Sequence, residues 1–203
     1  MERTDSCHHN MIPGYRKDRR IEKSSTVNVK VDGDKYACSI TGIHVLDNGD
    51  TLMCDRRNDN VKLMDTSGHI TSSLRMEGEP WDVAGIGNGE AAVTLSNKKI
   101  EIVRIDGKQV KHQKGRGMKT DRSCWGLAYH RDNLYVSCHD NPGNSEVIIL
   151  DKQGQLIRKI PGPDNLKYPN YIAVDRIQLI LSDSNTCKHV QVQRKQMLCS
   201  ICF

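Results

Sequence analysis

Aromatic side chains are scarce in this chain of 203 residues: one Phe, two Trp and six Tyr make up 4% of it. With an apolar fraction of only 36%, the chain has little material for one large, tightly packed core. Long hydrophobic runs are missing too. No stretch approaches the roughly 18 apolar residues that a membrane-crossing helix needs, and with a mean hydropathy of −0.61 and a net charge of +5 the composition is that of a soluble, moderately basic protein. The opening residues, MERTDSCHHN, contain no apolar stretch of the kind that marks a secretory signal. A phosphate-binding loop is not expected, because Gly85-Ile86-Gly87-Asn88-Gly89 lacks the following helix and lysine that make such loops work. The eight cysteines (7, 38, 54, 124, 138, 187, 199 and 202) are scattered over a chain far longer than a disulfide-stapled mini-domain. They read as reduced thiols in a cytoplasmic protein, several of them acting as small hydrophobes on strands.

What the chain does contain is a repeated pattern, clearest between Ile40 and Leu74. Ile43–Leu46, Thr51–Cys54, Val61–Met64 and His69–Leu74 are short apolar runs separated by Asp, Asn and Gly clusters. Such spacing predicts an antiparallel meander, with Asn48-Gly49 as its strongest hairpin signal if both central turn residues take positive φ. The four runs recur at Trp81–Ile86, Ala91–Leu95, Ile100–Ile105 and Lys108–Lys111. They recur again at Trp125–His130, Leu134–Cys138, Glu146–Leu150 and Gln155–Ile160, and a last partial set occupies Asn170–Val174, Gln178–Ser182 and His189–Val192. Val61, Ile100, Val147 and Val190 open successive third runs at steps of 39, 47 and 43. Ala84, Ala128 and Ala173 fall in successive first runs at steps of 44 and 45, where they are expected to line a central channel. A four-strand unit with a period of about 40–45 residues is the signature of a β-propeller blade; a β-sandwich or an open meander is the alternative. The fold expected is therefore all-β, a partial propeller of three complete four-stranded blades plus part of a fourth. It spans residues 24–193, between a flexible basic tail (1–23) and a divergent C-terminal tail (194–203). Within the propeller region Ser24–Val31 alternates Val27, Val29 and Val31 with polar residues and predicts a half-buried strand.

Few residue sets suggest chemistry. Cys199 and Cys202 form a CxxC, but two ligands do not make a zinc site unless Cys7, His8 and His9 complete it, so no metal or cofactor is expected. Cys138, His139, Asp140 and His130 are close in sequence, yet neighbouring strand residues point to opposite faces, and no catalytic set is expected. Asp55 and Asp183, each following a second run, are expected to accept hydrogen bonds from loop N–H groups. Charge is the best functional signal. From Arg104 to Arg122 there are seven basic residues against Asp106 and Asp121. Lys111–Thr120 has no strand pattern and is expected to be an exposed loop. Lys111, Lys114, Arg116, Lys119 and Arg122, with Arg56 and Arg57 on the same rim and Trp125 as a stacking aromatic, are the candidate residues for a protein partner or for single-stranded RNA. A merely solvated surface is the remaining reading.

The stretch ITGIHVLDNGDTLMCDRRNDNVKL at Ile40–Leu63 resembles a blade of the NHL-repeat propellers, in particular the C-terminal propeller of tripartite-motif-like proteins. Echoes follow at Pro80–Ala84, Cys124–Ala128, Tyr168–Asp175 and Ser182-Asp183, so the resemblance covers roughly residues 26–193. It implies a non-catalytic platform that binds protein or RNA in a ubiquitin-ligase context. The ligase activity itself belongs to a RING domain that this sequence does not contain, and family propellers usually have six blades. A chain with fewer blades is expected to leave open edges through which it can self-associate.

Overall fold

The computed structural model describes residues 26–140, 144–162, 166–175 and 178–183, and the backbone of 188–193. The basic tail, the C-terminal CxxC and Cys7, His8 and His9 lie outside the described residues. Four antiparallel sheets follow one another along the chain. Blade 1 is β1 (Ile40–Val45), β2 (Thr51–Asp55), β3 (Asn60–Met64) and β4 (Ile70–Arg75). Blade 2 is β5 (Pro80–Gly87), β6 (Glu90–Leu95), β7 (Lys99–Asp106), β8 (Gln109–His112) and β9 (Met118–Lys119). Blade 3 is β10 (Cys124–His130), β11 (Asn133–His139), β12 (Ser145–Asp151) and β13 (Leu156–Pro161), and blade 4 is β14 (Pro169–Val174), β15 (Gln178–Asp183) and β16 (Lys188–Gln193). Successive first strands β1, β5, β10 and β14 pack side by side. The chain is an all-β, propeller-type structure.

Sheets stack because neither face of a middle blade can be left wet. Leu52, Cys54, Val61 and Leu63 of blade 1 pack on Val83, Ala91, Val93, Leu95 and Val103 of blade 2. The opposite face of blade 2 presents Ala84, Ile86, Ala92, Ile100 and Ile102 to Leu127, Leu134, Val136, Ile148 and Leu150 of blade 3. Blade 3 in turn offers Val147 to Ile172, Leu179 and Leu181 of blade 4. Burial on both faces explains why β6 and β12 read as continuous apolar runs rather than alternating ones. It also lets three thin cores replace the large one that the composition cannot supply.

The turns repeat as well. In blade 1 the Asp65 carboxylate accepts the N–H groups of Ser67 and His69 (both 3.0 Å), and Gly68 takes φ +84°. In blade 3 the Asp151 carboxylate accepts those of Gln153 (2.9 Å) and Gln155 (2.8 Å), with Gly154 at φ +85°. At the other end of the blades, Asp55 accepts the Ser39 N–H (2.9 Å) and Asp183 accepts those of Lys167 (2.9 Å) and Tyr168 (3.0 Å), as expected of them. Asp140 does the same for Ser123 in blade 3 (2.9 Å).

Four expectations need correction. Residues 26–31 form no strand. They run as irregular chain across the face of blade 1 that points away from blade 2, because Lys62 draws them down through the Val29 carbonyl (3.0 Å) and the Asp34 carboxylate (2.6 Å). Lys111–Thr120 is not a simple linker. Its two ends, β8 and β9, both pair with β7 and form the outer strand of blade 2, interrupted only at 113–117. Only Gly49 of the Asn48-Gly49 pair has positive φ, so that hairpin closes with a longer loop, Leu46 N–H bonding the Asp50 carbonyl at 2.8 Å. Ala84 and Ala128 pack into the cores between blades rather than lining a channel, while Ala173 is exposed.

Each first strand carries a bulge near its start, between Ile40 and Gly42, Pro80 and Asp82, Cys124 and Leu127, and Pro169 and Tyr171. Bulges of this kind re-aim the chain, and in the first three blades the residue two on from the bulge start, Gly42, Asp82 and Gly126, meets the next blade. In blade 2 that residue is Asp82, whose carboxylate accepts the Leu127 N–H of blade 3 (2.9 Å) and the Val83 N–H (2.9 Å). Burial pushes its carboxyl up to about 6, against the downward pull of those two N–H groups. The native state therefore holds a proton on Asp82 between about pH 4 and pH 6 that the unfolded chain has lost, and Asp82 favours folding more as pH falls through 6. Half-buried His44 and buried His139, whose imidazoles desolvation holds below their ordinary pKa, act the other way, but both are common to wild type and variant. Urea unfolding should show wild type gaining roughly 1 kcal/mol on Asp82→Asn between pH 7 and pH 5. A pH-independent difference would contradict this.

Candidate functional site

The bulges and the loops beside them build one continuous row of side chains at the end of the blades where first strands begin. Trp81, the extra residue of the β5 bulge, meets Trp125 of β10 edge to face, centroids 4.6 Å apart at 88°. Trp125 stacks on His139 at 5.0 Å and 10°, and His139 meets Tyr168 at 5.5 Å. The Arg56 guanidinium lies over the Trp81 ring, 5.1 Å from its centroid, and also pairs with Glu79 at 3.0 Å. The row thus spans all four blades, from the 3-10 turn Arg56–Asn58 to the residue before β14. It is fixed by polar contacts at its edges: Trp125 Nε1 donates to the His139 carbonyl (3.0 Å), and His139 Nε2 meets Asn170 Oδ1 (3.0 Å). The Trp81 Nε1 is buried with no hydrogen-bond partner among the described residues.

Of the residues singled out from sequence, Arg56, Arg57 and Trp125 lie at this end, Arg56 and Arg57 lining an open cleft with Tyr36, Ser39, Asp59 and Glu79. The basic segment divides: Lys119, level with the start of β5 through β6 and β7, and Arg122, two residues before β10, lie toward this end, whereas Arg116 does not. Arg116 reaches the turns at the opposite end, its Nη1 donating to the Glu90 carboxylate (2.8 and 3.0 Å to its two oxygens) and its Nη2 to the Lys152 carbonyl (3.0 Å), so it clamps blade 2 to blade 3. Arg122 bonds the Asn144 carbonyl (2.7 Å) and pairs with Glu146 (3.3 Å), and Lys111 pairs with Asp106 (2.9 Å). Lys114 and Lys119 have no ion pair among the described residues; they border a cavity of about 410 Å³ in the broken outer strand, floored by Ile100, Ile102 and Met118. Trp125 is half-buried, stacking on His139 with one face and meeting Trp81 edge to face. Sequence reasoning missed Trp81, His139 and Tyr168 as members of the site. The signal was present, since Trp81 and Trp125 follow the first-strand start at equivalent places in two repeats.

The residues around Cys138 go separate ways. The Cys138 thiol meets Cys124, His139 joins the aromatic row, and Asp140 bonds Ser123 and Lys98. Asp34, Cys38 and Asp55 converge closely enough to ligate a metal, and sequence alone gave no hint of it. That space is filled by the buried ammonium of Lys62, 2.6 Å from Asp34, 2.7 Å from Asp55 and 3.3 Å from the Cys38 thiol. Burial alone would raise the Asp55 carboxyl, but the Lys62 ammonium with the Ser39 N–H and the Asn58 amide holds it down at about 2. Lys62→Met leaves two carboxylates buried without their cation and should cost about 3–5 kcal/mol in chemical denaturation. Adding Asp34→Asn and Asp55→Asn should recover much of that loss; a Lys62→Met chain as stable as wild type would contradict the assignment.

No family model matches the chain, and no curated protein matches it. Solved structures do. The glutaminyl cyclase of Myxococcus xanthus is 10% identical with a TM-score of 0.61, over 77% of this chain and 66% of that one. A catalytically inactive virginiamycin B lyase of Staphylococcus aureus with quinupristin is 14% identical with a TM-score of 0.59, over 82% of this chain and 55% of that one. The Cps50 (Swd1) β-propeller domain of Myceliophteria thermophila is 17% identical with a TM-score of 0.54, over 75% and 50% respectively. The chain spans about half the length of the last two. At these identities the likeness shows the fold alone: the chain is a β-propeller scaffold.

Proposed function

We propose that this scaffold is a non-catalytic binding module, that it recruits protein partners through the end bearing the Arg56–Trp81–Trp125–His139–Tyr168 row, and that it does so in the ubiquitin-ligase setting its tripartite-motif resemblance implies. The row carries the proposal. Exposed Arg56 and half-buried Trp81, Trp125 and Tyr168, braced by the buried His139, are of the arginine and aromatic types that dominate protein–protein hot spots, because they bring large contact area at small entropic cost. In support of a non-catalytic role, the polar groups near the row are engaged with one another: Ser123 Oγ bonds Asp140 at 2.9 Å and His139 Nε2 bonds Asn170 at 3.0 Å. Ile43 and Val45, each 61% exposed on hub strand β1, support self-association at that edge.

Single-stranded RNA is the second reading, and it rests on Lys114 and Lys119. Pairing of Lys111, Arg116 and Arg122 with carboxylates weakens it, since charge already neutralised releases few counterions. The two readings separate in one experiment on the full chain. Affinity capture should enrich a protein set that Arg56→Glu with Arg57→Glu abolishes and Lys114→Glu with Lys119→Glu spares. Single-stranded RNA that binds with steep salt dependence and is lost with the lysine pair would overturn the protein reading.

A further inference from the structure

Cys124 and Cys138 face each other across the first two strands of blade 3, with their sulfurs 3.8 Å apart. The Ser123 carbonyl accepts the His139 N–H at 3.1 Å, one residue outside the pair on each strand. That pattern marks a non-hydrogen-bonded pair, in which opposed Cα atoms lie about 4.5 Å apart and side chains approach most closely. This spacing falls inside the window of roughly 4.4–6.8 Å that a disulfide bridges without backbone movement. The other described thiols have no such neighbour: Cys38 contacts Lys62 and Asp34, and Cys54 lies in the core between blades 1 and 2. Both thiols of the pair are buried, yet Cys138 also lines a cavity of about 190 Å³ bordered by Lys119, Arg122, Glu146 and Lys159. A peroxide molecule is small enough to enter it.

We propose that Cys124 and Cys138 form a reversible disulfide on exposure to hydrogen peroxide, making blade 3 a site of redox modification. Cys138 lines the cavity that admits the peroxide while Cys124 is fully buried and does not, so Cys138, on losing its proton, is the attacking sulfur. Its thiolate attacks the O–O bond, forming an S–O bond and releasing hydroxide, which takes a proton to become water. The Cys124 sulfur then attacks the Cys138 sulfenic acid, forming the S–S bond, and its proton leaves with the hydroxyl as a second water. Two thiols are oxidised and one peroxide is reduced to two waters. The new bond ties the hub strand to its neighbour immediately beside Trp125 and His139, so the aromatic row loses freedom at its centre. The modification stands whether or not that row docks a partner.

The test uses the reduced full chain treated with about one equivalent of hydrogen peroxide, then unfolded, alkylated and digested with trypsin. The expected product joins the peptides Ser123–Arg131 and Asp132–Lys152 with the loss of two hydrogens, in the larger part of the protein, and a phosphine reductant splits it. Cys54→Ser should leave the product unchanged, and Cys124→Ser or Cys138→Ser should each abolish it. Cys124 and Cys138 recovered mainly as alkylated thiols, as sulfinic acids or joined to other cysteines would overturn the proposal.

Discussion

Neighbouring blades can pack only if their first strands come close enough to share a core, and that approach is limited by atoms at the bulge. A Cβ on Gly42 would sit 2.6 Å from the Asp82 Cα and 2.9 Å from the Trp81 carbonyl oxygen. A Cβ on Gly126 would sit 2.7 Å from the backbone of both Tyr171 and Ile172. Glycine is required at these two places because neighbouring backbone occupies the space, and neither position has a left-handed φ. Between blades 2 and 3 the same position is Asp82, which bridges to the Leu127 N–H instead of yielding room. Three inter-blade cores, the row of aromatic rings and the opposed thiols of blade 3 all follow from this spacing.

A chain of stacked sheets has the further difficulty that its first blade has a free face. Here that face is covered by residues 26–39, held by one buried lysine. Lys62 is fully buried with Asp34 and Asp55, and the Asn58 side chain clasps Tyr36 through both its N–H and its carbonyl. A buried ion pair contributes less to net stability than to specificity, since an apolar face would accept many alternative covers and this one accepts an acidic one. Val29 takes part through its carbonyl rather than through its side chain, which is why the apolar alternation of Ser24–Val31 misleads.

Much of the architecture was legible in the sequence because turn chemistry is local. Asp65 and Asp151 with their glycines, and Asp55 and Asp183 with the loop N–H groups they accept, act within one repeat and recur with it. The repeat length then fixed the blade count. What stayed hidden depends on contacts between repeats. The basic segment 104–122 looked like a free positive loop because the acids that neutralise it, Glu90 and Glu146, lie in other strands. The split of the outer strand into β8 and β9 was hidden for the same reason: its pairing depends on β7. The aromatic row was half visible, as Trp81 and Trp125 share a repeat position, but His139 and Tyr168 reach it from different elements.

The blade stack depends most on the close approach of first strands, and the measurement that tests this most directly is the unfolding free energy of Gly126→Ala set beside Gly117→Ala. A Cβ on Gly117 meets only the Ile100 carbonyl oxygen, at 3.7 Å, whereas one on Gly126 drives into the backbone of blade 4. Denaturant titration should show Gly126→Ala losing about 2 kcal/mol or more, with Gly117→Ala within about 0.5 kcal/mol of wild type. Equal and small losses for both would mean that the first strands do not meet there, and the blade arrangement described would be wrong.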